Sequence, residues 1–301
     1  MPGNGILSGE IQWDFFRDRP ENIRAVPIQY YSCKMSLGKI VTYGGGDSIL
    51  SPKYAIIRAF CEAWERLWMQ VLFNFNDRDR VSPIPTSSNG FAAGRNIDDA
   101  KANAKRELIE RSAFLTAWQT MKGWNSAKFE TVEGRIANIS LKRMGWHAKL
   151  YTLTTDLPQY RVTVGIITHK KWGAYADAAC SHTGNESDSE KKIFRSFLRK
   201  TKLADLTKKK ASEKLPEFGS PVDHDNFYSN PIHLKAFDFL IGLSNSNTLV
   251  NLPNPDLIKF ETFAPSANMP CLARAWHHEW PELRWGTTSI SGKNTWPHPL
   301  A

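Results

Sequence analysis

The sequence predicts a single folded domain of the mixed α/β (α+β) class, with mixed β-sheets. Its 41% hydrophobic and 23% charged residues lie in the range of globular proteins. No Pro-, Gly- or Ser-rich linker divides the 301 residues, and single mixed domains of about 250 residues or more are common. Runs of β-branched and aromatic residues alternate with segments of helical apolar spacing. We therefore expect one domain over residues 1–301.

Strands and two helices are expected in the first 120 residues. Residues 22–50 contain two runs rich in β-branched and aromatic residues, followed by Gly-Gly-Gly-Asp-Ser, which predicts a flexible turn. Ser51 can cap a following helix, and Pro52 suits its first turn. A second helix is predicted over about residues 98–118, because Asn96 to Asp99 offer capping oxygens at its start.

The rest of the chain alternates between regular elements and loops. The patterns predict a helix and then strands over 129–180, a basic helix over 191–210, loops around the helix HLKAFDFLIGLS over 216–256, strands LIKFETFA and PCLARAWHH, and a polar tail over 286–301.

The positive charge of the chain is concentrated in one segment. The net charge is +9, and residues 191–210 hold nine Lys or Arg and one acid, Asp205. One interpretation is a solvated amphipathic helix. Its buried side would comprise Ile193, Phe194, Phe197, Leu198 and Leu203. The other is a docking surface for an acidic peptide or another anionic partner. Nucleic acid fits less well, because single-strand binding usually mixes aromatics among the basic residues.

The N-terminal sequence and the cysteines predict a cytoplasmic location without a membrane partner. No stretch approaches the roughly 18 apolar residues of a membrane helix, and the N-terminus lacks the apolar core of a signal peptide. The four cysteines are far apart, without a Cys-x-x-Cys pair.

A short pattern occurs twice in the two predicted helices. The pattern Ala-x3-Ala-x2-Glu-x2-Glu-Arg begins at Ala55 and recurs 45 residues later at Ala100. The two glutamates of each helix are three residues apart and share a face, and the small alanines permit close approach of another backbone. Two such helices could bring four carboxylates together. They are Glu62, Glu65, Glu107 and Glu110.

Two interpretations of these glutamates are open. Glu62 with Arg66, and Glu107 with Arg111, are i,i+4 pairs of the kind that decorate solvent-exposed helix faces. Against this, the neighbouring residues are largely apolar. Clustered carboxylates repel one another unless cations neutralise them, and Mg²⁺ typically adds substrate phosphates to a few protein carboxylates. The set therefore suggests a Mg-nucleotide site, although the usual phosphate-binding motifs are missing.

Two blocks resemble a known family. SSNGFAAG followed by DDAKANAKRELIERSAF is similar to the signature block of YcaO-domain proteins, and SPKYAIIRAFCEAWERL is similar to their earlier Glu-x-x-Glu-Arg helix. The blocks cover about residues 44–70 and 87–118. The resemblance implies a mixed α/β fold that binds ATP through Mg²⁺ held by helix glutamates. It also implies phosphorylation of a peptide backbone amide oxygen.

The resemblance also implies site residues. As metal and ATP ligands it implies Glu62, Glu65, Glu107 and Glu110, and as further ATP contacts Arg66, Asp99, Arg111, Arg274 and Glu279. Three positions depart from the family pattern. Ala59 stands where serine is common, Arg95 where asparagine usually follows the glycine, and Ser112 where aspartate is usual.

The C-terminus resembles the alternating-proline end of azoline-forming members. This implies catalytic roles for Pro297, Pro299 and Ala301, with Ala301 in place of the last proline; a frayed terminus is the alternative. In those relatives a Cys, Ser or Thr side chain attacks the preceding amide carbon, ATP phosphorylates the oxyanion, and phosphate leaves. The products are thiazolines and oxazolines in ribosomally made peptides of the microcin and bacteriocin type.

Partners follow from the same resemblance. We expect a precursor peptide and a separate ThiF-like or ubiquitin-activating-like leader-binding protein, since 301 residues leave no room for its fusion. In some systems we also expect a flavin-dependent azoline oxidase.

Three alternatives are open. The chain could form thioamides or amidines, could be a catalytically weakened ATP-binding scaffold, or could be a nucleic-acid-binding module whose affinity falls steeply with salt.

Overall fold

The computed structural model divides into two compact units. Unit 1 comprises Met1–Lys105 and Lys259–Trp276, and unit 2 comprises Arg106–Ile258 and His277–Ala301. The described residues are 10–17, 29–48, 51–74, 89–207, 211–217, 219–241, 248–263, 269–287 and 292–300. The expectation of a single domain stays a prediction.

The chain forms ten strands and five α-helices in its described residues. In chain order they are β1 (Ile11–Arg17), β2 (Gln29–Leu37), β3 (Ile40–Ser48), α1 (Pro52–Asn74), β4 (Phe91–Gly94), α2 (Ile97–Thr120), β5 (Trp124–Ala127), α3 (Val132–Arg143), β6 (His147–Leu153), β7 (Tyr160–His169), β8 (Gly173–His182), α4 (Glu186–Thr207), α5 (Pro221–Tyr228), β9 (Lys259–Phe263) and β10 (Cys271–Trp276). Two 3-10 helices lie over Pro231–Leu240 and Pro255–Leu257.

The mixed α/β (α+β) class is confirmed. Three sheets have the strand orders β1-β2-β3, β4-β10-β9 and β5-β6-β7-β8. Every pairing between these strands is antiparallel, so the mixed sheets that we expected are not found among the described strands. The reason is that short connections link most consecutive strands, and such connections favour antiparallel neighbours.

The glycine run of unit 1 lies in a strand, so its prediction as a flexible turn was wrong. A Cβ on Gly44 would lie 2.2 Å from the backbone oxygen of Ala59 and from the nitrogen of Ala63. A Cβ on Gly46 would lie 1.8 Å from the backbone oxygen of Ala55. The three alanines are fully buried. Strand β3 and helix α1 therefore meet backbone to backbone, the close approach that the small residues of α1 predict.

The predicted starts of the first two helices are confirmed. Ser51 Oγ accepts a hydrogen bond from the Lys53 backbone nitrogen at 3.2 Å, and Pro52 is the first residue of α1. Asn96 Oδ1 accepts one from the Asp99 nitrogen at 2.8 Å, at the start of α2. These side chains satisfy backbone donors that have no partner within the helix.

Helix α4 of unit 2 covers the sheet β5-β6-β7-β8. It buries Ile193, Phe194, Phe197 and Leu198, as the amphipathic interpretation predicts. Gly165 of β7 permits this contact, because a Cβ there would lie 2.4 Å from Ile193 Cγ2. The side chain of Leu203 and residues 208–210 lie outside the described residues.

Three elements of unit 2 differ from the sequence prediction. Strand β5 was not predicted, and HLKAFDFLIGLS contributes to the 3-10 helix Pro231–Leu240 rather than to an α-helix. Helix α5 lies in a segment whose Pro, Gly and Asp residues predicted a loop. Its start is a capping box, in which Ser220 and Asp223 bond each other's backbone nitrogens.

No helix in the described part of the chain is long and apolar enough to cross a membrane.

Candidate active site

The first glutamate of α1 forms an ion pair along the helix. Glu62 Oε1 lies 2.6 Å from the Arg66 guanidinium, which also donates to the Tyr43 backbone oxygen at 2.8 Å. The other oxygen of Glu62 accepts a hydrogen bond from the Gly45 nitrogen at 2.7 Å. The i,i+4 interpretation is therefore confirmed for this pair. Through its hydrogen bond with the Gly45 nitrogen, the Glu62 carboxylate also links α1 to β3.

The second glutamate of α1 points to another strand of unit 1. Glu65 Oε1 accepts a hydrogen bond from the Ala93 nitrogen of β4 at 2.7 Å. Arg274 of β10 is buried in the same sheet, with its guanidinium 5.6 Å from the ring centre of Phe91 and 5.5 Å from that of Trp276. A buried arginine on this sheet fits the predicted phosphate contact, which stays a prediction.

The remaining predicted ligand of unit 1 is more exposed. Asp99 in the first turn of α2 pairs at 3.0 Å with Arg95, which precedes the helix. Arg95, where the family usually has asparagine, therefore neutralises this carboxylate.

The repeat in α2 places its second glutamate in the interior of unit 2. Glu110 is 2% exposed. Its Oε2 accepts hydrogen bonds from the Cys180 nitrogen at 3.0 Å and from Lys192 Nζ at 2.9 Å. Its Oε1 is buried and accepts no hydrogen bond from any residue that the structure describes. The closest cation to this oxygen is Arg111, 3.6 Å away.

Four charged side chains from three elements interact here. They come from α2, β8 and α4, and we call them the charged cluster: Glu110, Arg111, Asp177 and Lys192. Burial opposes the charged form of Asp177, but Lys192 and Arg111 outweigh it and hold the pKa of this carboxyl below its ordinary value. Loss of water around the Lys192 ammonium and the Arg111 guanidinium opposes their charge, and Glu110 and Asp177 outweigh this effect and raise both pKa values. Asp177, Lys192 and Arg111 are therefore charged at neutral pH.

Glu107, the first glutamate of the α2 repeat, is partly buried. Its charge is among those that raise the pKa of Arg111. The charge of Arg111 therefore interacts with both glutamates of its own repeat. Because the side chains of Arg111 and Glu110 are largely buried, this attraction is stronger than it would be in water.

The carboxylates of the described residues fit Mg²⁺ only if most of the ligands of the ion are waters and substrate phosphates. Neither unit brings together three or more His, Cys, Asp or Glu among its described residues. Mg²⁺ suits such a sparse set, because it usually keeps several waters and binds one or two carboxylates plus substrate phosphates. The Oε1 of Glu110, which accepts no hydrogen bond from the described residues, is a hard anionic oxygen of the kind that this ion prefers.

The sequence predicts neither Lys192 nor Asp177 as a member of the charged cluster. Lys192 is one of the nine basic residues of the run 191–210. Asp177 is the single acid in the otherwise small and apolar strand β8, and an isolated acid in such a strand is a usable signal, since a buried charge requires a partner.

The C-terminal segment of unit 2 is docked rather than frayed. Residues 297–300 are buried. The Tyr228 hydroxyl donates to the Pro297 oxygen, and the Trp118 indole donates to the Trp296 oxygen at 3.0 Å. His224 Nε2 accepts from the Gly286 nitrogen at 2.8 Å, so its proton is on Nδ1, which donates to the His298 oxygen at 2.7 Å.

The docked segment lies within electrostatic reach of the charged cluster. The Arg111 charge is one of the causes that lower the pKa of His298. This proximity agrees with the expectation that the C-terminus reaches the site. The catalytic roles of Pro297 and Pro299 stay predictions, and Ala301 lies outside the described residues.

Burial of two histidines predicts a pH-dependent stability. Burial lowers the pKa of His298 to about 3 and also lowers the pKa of His224, whereas unfolded histidine titrates near ~6.5. The unfolded state therefore binds more protons between these values, and stability is lost as the pH falls below 6.5. We expect the free energy of unfolding to fall by roughly 1 kcal/mol per pH unit between pH 6.5 and 5.

Urea unfolding at several pH values measures this slope. His298→Gln should reduce it, and the exposed His147→Gln should not. A flat profile from pH 7.5 to 5, or an equal slope in His298→Gln, would contradict the assignment.

Glu279, the last predicted ATP contact, is exposed in unit 2. Its carboxylate accepts a hydrogen bond from Asn254 Nδ2 at 2.9 Å. Its role in ATP binding stays a prediction.

Comparisons with known proteins agree with this architecture. Residues 67–187 match the family model described as YcaO cyclodehydratase, ATP- and Mg²⁺-binding. This family description confirms the ATP and Mg²⁺ that we predicted as cofactors. No curated protein matches the chain significantly.

Three solved structures share the fold. YcaO from Methanopyrus kandleri, bound with AMPPCP and Mg²⁺, has a TM-score of 0.62 and 11% identity over 87% of this chain and 84% of that chain. A heterocyclase in complex with substrate and cofactor has a TM-score of 0.59 and 10% identity, over 88% of this chain but 49% of its own. The E. coli microcin synthetase McbBCD complex with pro-MccB17 bound has a TM-score of 0.55 and 10% identity, over 87% and 86%.

At such identities the similarity establishes the fold. The second signature block, with Glu107, Glu110 and Arg111, lies inside the matched residues 67–187. Residues 67–187 thus match the YcaO family model, and the chain shares the fold of the YcaO-domain structures.

Proposed function

We propose that this chain is the ATP- and Mg²⁺-dependent cyclodehydratase subunit of a peptide-modifying complex. The observation that supports it most is the buried carboxylate of Glu110, whose Oε1 has no hydrogen bond within the described residues although two cations adjoin the side chain. A carboxylate oxygen poised beside cations suits a metal that also carries phosphates.

The proposed reaction consumes one ATP for each ring. The Cys, Ser or Thr side chain attacks the preceding amide carbon and gives up its own proton, and the amide oxygen takes the γ-phosphoryl group of ATP. Phosphate then leaves with that oxygen, the amide nitrogen loses its proton, and a thiazoline or oxazoline remains. The products are ADP, phosphate and a peptide that has lost one water.

The residues of unit 2 have distinct tasks in this proposal. Glu107 and Glu110 hold Mg²⁺, which when bound screens the phosphate charge and fixes the triphosphate. Arg111 binds phosphate oxygens, because a planar guanidinium suits bidentate recognition of phosphate. Alignment of the γ-phosphate with the amide oxygen supplies most of the rate, since phosphoryl transfer depends mainly on positioning and charge stabilisation.

The C-terminal segment is proposed to position the peptide amide. Support comes from its docking through His224 and Tyr228 and from its proximity to Arg111. The precursor peptide and the leader-binding partner are proposed from the titles of the matched complexes, which contain substrate or several subunits. An associated flavin-dependent azoline oxidase and a cytoplasmic location belong to the same proposal.

Two of the three family departures have structural roles in this chain. Ala59 packs its backbone against Gly44, and Arg95 pairs with Asp99. Ser112 is fully buried, and nothing in the structure explains its choice over aspartate. Because the two explained departures leave the charged cluster intact, we favour an active enzyme over a weakened scaffold.

The test is turnover on peptides encoded beside the gene of this chain, in the presence of Mg-ATP and the neighbouring leader-binding protein. We expect mass spectrometry to show loss of one water per ring, and a heavy-oxygen label on the amide to appear in the released phosphate. A gain of sulfur in place of oxygen would show thioamide formation instead. ATP binding without any change in the peptides would favour the scaffold.

A further inference from the structure

Lys192 of α4 occupies an unusual position for a member of a basic run. Its Nζ lies 2.9 Å from Glu110 Oε2, yet about half of its side chain is accessible, with an exposed fraction of 49%. Glu110 in contrast has a side-chain exposure of 3%. The Lys192 side chain thus lies between a buried carboxylate and a space that solvent, and therefore a ligand, can enter.

The charged cluster indicates how the ion pair between Lys192 and Glu110 would change when a nucleotide binds. In the protein alone, Lys192 and Arg111 balance Glu110 and Asp177. A magnesium ion that binds Glu110 adds positive charge beside Lys192 and weakens the Lys192 to Glu110 attraction. The triphosphate that the ion would carry then offers Lys192 a new source of negative charge beside Asp177.

Neighbouring lysines of the same helix are engaged elsewhere. Lys191 lies 4.0 Å from Glu133 of α3, and Lys200 is buried 3.3 Å from Asp225 of α5. Neither contacts Glu110 in the structure. Among the lysines of α4 whose side chains the structure describes, Lys192 is therefore the one that is both next to a proposed metal ligand and accessible.

We propose that Lys192 is a phosphate-binding residue of the nucleotide site, which exchanges its ion pair with Glu110 for the outer phosphates of Mg-ATP. This inference rests on the proposed function. The outer phosphates are the expected partners, because a magnesium ion held by protein carboxylates usually bridges the last two phosphates of a nucleotide. A lysine suits this role, since its compact charge and flexible stem can move between two anions.

The first test compares Lys192→Met with Lys191→Met by calorimetric titration of Mg-ATP and Mg-free AMP. We expect Lys192→Met to raise the dissociation constant for Mg-ATP about 10- to 100-fold, the effect of losing one or two charge-assisted hydrogen bonds. AMP, which lacks the outer phosphates, should bind both variants alike. Lys192→Arg should stay within about threefold of wild type, because it keeps the charge.

Urea unfolding distinguishes a phosphate-binding role of Lys192 from the role of a counter-ion that only stabilises the fold. Lys192→Met should unfold at nearly the wild-type urea concentration, because the Lys192 side chain is half exposed and Arg111 remains beside Glu110. A variant that loses stability but binds Mg-ATP as wild type does would overturn the proposal. So would equal losses for Lys191→Met and Lys192→Met.

A second measurement uses the wild-type chain and requires no variant. Acylation of lysines, followed by mass spectrometry of the peptides, reports whether saturating Mg-ATP protects Lys192 relative to Lys191. We expect protection of Lys192 alone. If wild type binds Mg-ATP and Lys192 is not protected, this inference fails while the proposed function stands. If wild type binds no Mg-ATP, both fail.

Discussion

Glu110→Gln will abolish the binding of Mg-ATP without unfolding the protein. We expect the dissociation constant to rise at least about 100-fold, which corresponds to roughly 2.7 kcal/mol. The amide has the shape of the carboxylate but no charge, so it is a poor ligand for Mg²⁺. It can still accept the hydrogen bond that the Cys180 nitrogen donates to Glu110, so we expect a stability loss below about 2 kcal/mol.

Calorimetry and urea unfolding of the same samples measure both effects. Glu133→Gln is the matched control, because Glu133 is half exposed on α3 and pairs only weakly with Lys191, at 4.0 Å. It should leave nucleotide affinity unchanged. Wild-type affinity in Glu110→Gln would remove Glu110 from the nucleotide site, and a variant that fails to fold would make the glutamate structural.

Gly46→Ala will strongly destabilise unit 1. Its Cβ would lie 1.8 Å from the Ala55 oxygen and 2.4 Å from the Ala59 nitrogen. Both atoms belong to the backbone of α1, so the overlap is relieved only if α1 moves away from β3. We expect the free energy of unfolding to fall by at least about 3 kcal/mol, at the upper end of overpacking effects.

Gly45→Ala is the matched control on the same strand. Its Cβ would face the other side of the sheet and meet the Tyr30 hydroxyl at 2.5 Å, which is the end of a side chain that can rotate. We expect a loss below about 1 kcal/mol. Equal urea midpoints for the two variants would contradict the backbone contact between β3 and α1.

The repeat was the most informative part of the sequence, because one pattern carried both packing and chemistry. Its alanines predicted a close backbone approach, and the structure has it at Ala55 and Ala59. Its glutamates were expected among apolar neighbours, and Glu110 is buried. The pattern could not show that Glu62 is engaged by Arg66 and the Gly45 nitrogen, because the partner strand lies outside the repeat.

The other differences arise where tertiary contacts override local signals. A glycine run usually predicts a turn, but in β3 it removes the Cβ atoms that would hold α1 away. Lys192 looked like one solvated lysine among many, since a linear sequence does not show that Asp177 and Glu110 face it from β8 and α2. The docking of residues 297–300 depends on His224 and Tyr228, some 70 residues earlier in the sequence.

The most direct measurement is a calorimetric titration of ATP into the wild-type chain, with and without Mg²⁺, alone and with the leader-binding partner. The account predicts saturable binding of one nucleotide that requires Mg²⁺ and is lost when a chelator is added. Absence of binding under all four conditions would contradict the nucleotide site and, with it, the proposed enzymatic function.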